Sequence, residues 1–97
     1  MKLDIVRRDF AKIGEAWFEV EDLRGQGKTF DRKWSAFCAL VPGDPNALAP
    51  LLKGQLAAHR DVDVVPSSTG VWLVAGHHWL LKAIQAIGHE IGQLHPA

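Results

Sequence analysis

Trp34-Ser35-Ala36-Phe37-Cys38-Ala39-Leu40-Val41 is a near-continuous apolar run that stops at Pro42-Gly43. A half-exposed helix or strand would interrupt such a run with polar residues at its own period, so an unbroken one suits a central strand covered on both faces. Working toward the N-terminus, the stretch 16–22 (Ala-Trp-Phe-Glu-Val-Glu-Asp) also reads as a strand, and Arg24-Gly25-Gln26-Gly27-Lys28 supplies a turn between the two. The expected hairpin sets Glu19, Glu21 and Asp22 on one arm against Arg32 and Lys33 on the other, with the second arm covering 29–41.

The same residues carry a helical reading. Phe10, Ile13, Trp17 and Val20 share one helix face, with Asp9 as cap and Gly25 as stop; Phe30, Trp34, Phe37 and Val41 share another, with Thr29 as cap. An intermediate version keeps a helix over 9–22 and a strand only over 34–41.

Downstream the signals are clearer. Leu48, Leu51, Leu52 and Leu56 recur at helical spacing, and a start near Ala49 places Pro50 in the first turn, where its missing N–H costs little. Val62-Asp63-Val64-Val65 and Val71-Trp72-Leu73-Val74 flank the loop Pro66-Ser67-Ser68-Thr69-Gly70 and read as a hairpin. Beyond Gly76 a long helix begins at His77. At 100° per residue Leu80, Ile84, Ile87, Ile91 and Leu94 form an apolar stripe, His78, Lys82, Gln85, His89 and Gln93 form a polar one, and Trp79 falls outside the apolar stripe.

The expected fold is therefore a single α+β domain over residues 1–97: a small two-layer ββαββα-like arrangement, with an antiparallel sheet and two helices on one face. If the helical reading of the first forty residues holds instead, the order becomes αααββα, which resembles a winged helix-turn-helix domain.

Composition narrows the function classes. Eleven basic residues balance eleven acidic ones, so no net field draws the chain to polyanions or anionic lipid. Eight of the basic and seven of the acidic residues lie in positions 1–33, a charge-mixed surface rather than a basic arm. Cys38 is the only cysteine and sits among apolar neighbours, as a buried small hydrophobe does. The N-terminal residues lack an apolar signal-peptide region, and no run approaches the ~18 apolar residues of a membrane span. A cytoplasmic protein that does not associate with membranes is expected.

Apparent catalytic motifs fail on spacing. Gly25-Gln26-Gly27-Lys28-Thr29 ends like a phosphate-binding loop, but position 22, where that loop requires glycine, is Asp22. His89-Glu90 begins like a zinc-protease helix, but Gln93 stands where the second histidine belongs. His78 and His89 share a face, yet eleven residues of helix hold them ~16 Å apart, too far for one ion. His77 or His78 could meet a metal or act as a base only if Asp61, Asp63 or the Ser67-Ser68 loop came to it.

The sequence therefore points to no catalytic, metal-binding or cofactor-binding residue. It points to a non-catalytic protein-interaction or regulatory module, expected to be homodimeric, that uses Trp79, His78 and Lys82 to bind a protein partner or a second copy. The alternative is a nucleic-acid-binding regulator using Arg24, Lys28, Arg32 and Lys33. A second alternative is a small enzyme or metal-binding protein built on the C-terminal histidines.

Overall fold

The computed structural model describes residues 3–23, 25–27 and 32–94, with side chains up to Ile87 apart from that of Arg32. Its strands are β1 (Ile5–Ile13), β2 (Ala16–Glu19), β3 (Arg32–Pro42), β4 (Asp63–Ser67) and β5 (Gly70–Ala75). Its helices are α1 (Pro45–Gln55), between β3 and β4, and α2 (His77–Leu94), after β5; a 3₁₀ turn, Val20–Leu23, follows β2. The strands form one antiparallel sheet in the order β2-β1-β3-β5-β4.

The helical reading of the first forty residues is overturned, and the winged helix-turn-helix order falls with it. The strand reading is corrected in its pairing. Residues 16–19 do not pair with β3; they fold back on β1 across the two-residue turn Gly14-Glu15, with Ile13 opposite Ala16. Gly14 takes φ 61°, as the first central position of a type II′ hairpin turn requires. β1 then pairs along its length with β3, from Ile5 opposite Ala39 to Lys12 opposite Arg32. The acidic arm expected opposite Arg32 and Lys33 is replaced by β1 itself.

The central-strand expectation holds at β3, whose neighbours are β1 and β5. Successive residues Cys38 and Ala39 point to opposite faces and both are fully buried. One face carries α1 and α2: Ala39, Val41, Val71 and Leu73 from the sheet meet Leu48, Leu52, Leu80, Ala83 and Ile87 from the helices. The other face is not solvated. The sheet curls until the edge strands β2 and β4 approach one another, giving a nearly closed barrel lined by Phe10, Cys38, Val65, Trp72 and Val74, with Trp17, Ala36 and Leu40 partly buried beside them. Two helices do cover one face, but the simple two-layer picture misses this second core.

α1 begins earlier than the leucine spacing predicted. Asp44 caps it, its carboxylate accepting from the Asn46 N–H at 3.0 Å, and Pro45 takes the first helical position. Pro50 therefore lies inside the helix, where its missing N–H leaves the exposed Asn46 carbonyl to water. The β4-β5 hairpin is tighter than the five-residue loop suggested, since Ser67 pairs with Gly70 and only Ser68-Thr69 turn. α2 spans the expected residues, and no helix among the described residues is long and apolar enough to cross a membrane.

Candidate functional site

Polar and aromatic side chains concentrate at several places among the described residues, and the first is the start of α2. Burial of Leu80, Ala83 and Ile87 fixes the inner stripe and rotates Trp79 outward, leaving it 41% exposed. The His78 ring stands at 62° to that of Trp79, 5.6 Å between centroids, and the Lys82 ammonium lies 5.0 Å from the Trp79 ring. The i, i+3 spacing of Trp79 and Lys82 puts both on one flank, and a cation over the indole is held by the ring quadrupole. His78, Trp79 and Lys82, which the sequence singled out, thus form one contiguous patch. Leu81 is also exposed but lies about 160° from Trp79 around the helix.

The second place is inside the barrel. Glu19 is buried, and its Oε2 accepts from the Trp72 indole N–H at 2.9 Å. The half-exposed Arg8 guanidinium is 3.9 Å from Glu19 Oε1 and 5.9 Å from the Trp72 ring centre. Because β2 and β5 are not neighbours in the sheet, this hydrogen bond ties the barrel across its interior. Sequence reading placed Glu19 on the surface; nothing in its local pattern distinguishes it from Glu21. Nearby, burial and the adjacent Glu19 carboxylate push the Cys38 thiol up to about 11, against a smaller opposing pull from Arg8. A thiol so raised is protonated at neutral pH, and Cys38 is a core residue rather than a nucleophile.

The third place is the gap where β3 runs past the end of β5. Arg7, Trp34, Ser35, Asp61, Asp63 and Gly76 line a shallow depression of about 340 Å³ there. His77 packs edge-on against Phe37, 5.5 Å between centroids, and no hydrogen bond joins it to Asp61 or Asp63 among the described residues. Ser67 accepts from the Thr69 N–H within the turn and Ser68 donates to Asp22 of the 3₁₀ turn, so both hydroxyls are engaged in structural hydrogen bonds. No group of three or more His, Cys, Asp or Glu side chains converges among the described residues.

Asp63 is held above the ordinary carboxylate range because partial burial disfavours its charge more than Lys12 favours it. A raised acid contributes stability below its unfolded value, and that contribution is lost as pH rises through its folded value. Asp63→Asn should therefore stabilise the protein at about pH 7 by a few tenths of a kcal/mol, roughly the size left after solvent screening of an exposed side chain. Urea titrations of both proteins should converge at about pH 3, where Asp63 itself is protonated.

Of the candidate nucleic-acid contacts, Arg24 and Lys28 lie outside the described residues. Arg32 heads β3 opposite Lys12. Lys33 is exposed beside a depression of about 230 Å³ in which Arg7 and Arg8 are interleaved with Asp9, Glu19 and Glu21. Gly25 and Gly27 take φ of 76° and 66°, in keeping with the turn reading of that loop.

Comparison with family models, with curated proteins and with solved structures finds no match to this chain.

Proposed function

We propose that this protein is a non-catalytic interaction or regulatory module, homodimeric, that engages a protein partner through the His78-Trp79-Lys82 patch. The observation that carries the reading is the position of Trp79. The core takes Leu80, Ala83 and Ile87 from the same helix and leaves a large rigid aromatic in water, flanked by a cation and an imidazole. Large aromatics with few rotatable bonds lose little entropy on docking and dominate binding energy at interfaces, and a neighbouring cation gives the contact direction.

Partner capture with the full chain as bait tests this. Trp79→Ala should weaken capture at least tenfold, about 1.4 kcal/mol or more, with the unfolding midpoint little changed. Leu81→Ala, on the opposite flank of α2, should leave capture intact. Equal capture by wild type and Trp79→Ala would remove the patch from the interface.

A further inference from the structure

Among the described residues the sheet leaves a strand edge open at the start of β1, past the end of β2, as it does on β3 past the end of β5. On β4, the closing pair Ser67 and Gly70 turns the backbone of Asp63, Val65 and Ser67 toward β5, so Val64 and Pro66 face outward. Pro66 has no N–H to leave unpaired, and β2 lies against that side. On β1, the closing pair Ile13 and Ala16 turns the odd-numbered residues toward β2 and the even-numbered ones toward β3. The Cys38 thiol donating to the Val6 carbonyl at 3.6 Å agrees with that direction. β2, however, ends at Glu19, opposite Phe10. Ile5 and Arg7 therefore aim their N–H and C=O past its end, and no backbone hydrogen bond among the described residues meets them.

We propose that this edge pairs with the same edge of a second copy of the chain, antiparallel about a two-fold axis at Val6. The partner is read from the charge pattern. Asp4 and Arg8 lie two residues on either side of Val6, on the same face of the strand, and both are exposed. An antiparallel copy centred on Val6 sets Asp4 of each chain directly opposite Arg8 of the other, and Ile5 opposite Arg7 with about four backbone hydrogen bonds.

Val6 itself is 38% exposed and meets its own counterpart. Beside it Leu40, Pro42 and Trp72 line a depression of about 390 Å³ that the second copy would roof. Moving the axis to Arg7 sets that arginine against itself, and moving it to Ile5 separates Asp4 from Arg8. Arg8 has donors to spare, since Glu19 lies 3.9 Å away and half of the side chain is in water. A pairing of this length buries less than the ~1,200 Å² of a standard interface, so the dimer is weak and salt-sensitive.

The inference deepens the homodimer part of the proposed function and is independent of the α2 patch, because Trp79→Ala should leave self-association unchanged. Sedimentation velocity over a concentration series should show a monomer–dimer equilibrium that weakens with salt. Asp4→Lys, at an exposed position, should weaken it at least tenfold without shifting the unfolding midpoint. In a Cys38→Ala background, which removes the thiol that stands opposite position 6 within the chain, mild oxidation of Val6→Cys should give a disulfide-linked dimer, because directly opposed non-hydrogen-bonded residues have Cα atoms about 4.5 Å apart. Arg7→Cys should not cross-link, since its own counterpart is offset. A monomer at every concentration, or cross-linking through Arg7→Cys in preference to Val6→Cys, overturns the proposal.

Discussion

Gly70→Ala is expected to lower the unfolding free energy by about 3 kcal/mol, at the upper end of what overpacking costs. The first residue of β5 pairs with both Ser67 of β4 and Pro42 of β3, at the point where the outer hairpin folds onto the central strand. A Cβ built there runs into the Val41 carbonyl oxygen and presses on Pro42 Cα, all of it backbone at the end of β3, where Val41 is fully buried. No rotamer relieves such a contact. The strands must part, and the Gly43 N–H bond to the Thr69 carbonyl, 3.3 Å, parts with them. Gly54→Ala, where an added Cβ meets nothing within 4 Å, is the matched control and should be neutral or slightly stabilising. Chemical denaturation of the two variants measures the difference directly. A Gly70→Ala midpoint equal to wild type would show that β5 does not approach β3 this closely.

Burial patterning explains why the second half of the chain was legible and the first was not. From Val62 onward each apolar residue has one job. The β5 run, buried on both faces, is apolar without a break, and α2 buries one stripe whose period of 3.6 stands alone in the sequence. β1 has no such period. Val6, Arg7, Arg8 and Asp9 are exposed on both faces, at the open edge, while Phe10 and Ala11 are buried on both, where β2 has joined. Its pattern therefore changes along the strand rather than across it, and the helical spacing of Phe10, Ile13, Trp17 and Val20 is what a strand, a two-residue turn and a second strand happen to produce.

The expected α1 start failed for a related reason. Pro50 looked like a first-turn residue, but Asp44-Pro45 supplies a complete cap and first turn on its own. The α2 patch was visible because a single helix wheel places Trp79 off the apolar stripe. The Glu19–Trp72 pair was not, because the two residues meet only when the barrel closes, 53 positions apart in sequence.

Trp72→Phe should cost about 3 kcal/mol, and the reason is that same pair. Phenylalanine keeps an aromatic ring against Phe10, which packs edge-on to Trp72 at 6.4 Å, but it removes the indole N–H and part of the ring volume. The volume lost is a cavity in the barrel core, between Phe10, Cys38 and Val65. The N–H lost leaves the buried Glu19 carboxylate facing the Arg8 guanidinium, 3.9 Å away and half in water. Removing one partner of a buried pair costs more than the pair contributes, because the remaining group keeps its desolvation penalty.

Combining Trp72→Phe with Glu19→Leu separates the two effects. If the stranded carboxylate dominates, the double variant recovers stability relative to Trp72→Phe alone. If the cavity dominates, the two substitutions add. The tie spans β2 and β5, so its loss should also loosen β2 selectively. Amide exchange in residues 16–19 should accelerate more than in β3 or β5, because β2 is a four-residue edge strand held by β1 on one side and by this bond across the barrel. Uniform acceleration in every strand would mean that Glu19 and Trp72 contribute to the core as packing alone and do not close the barrel.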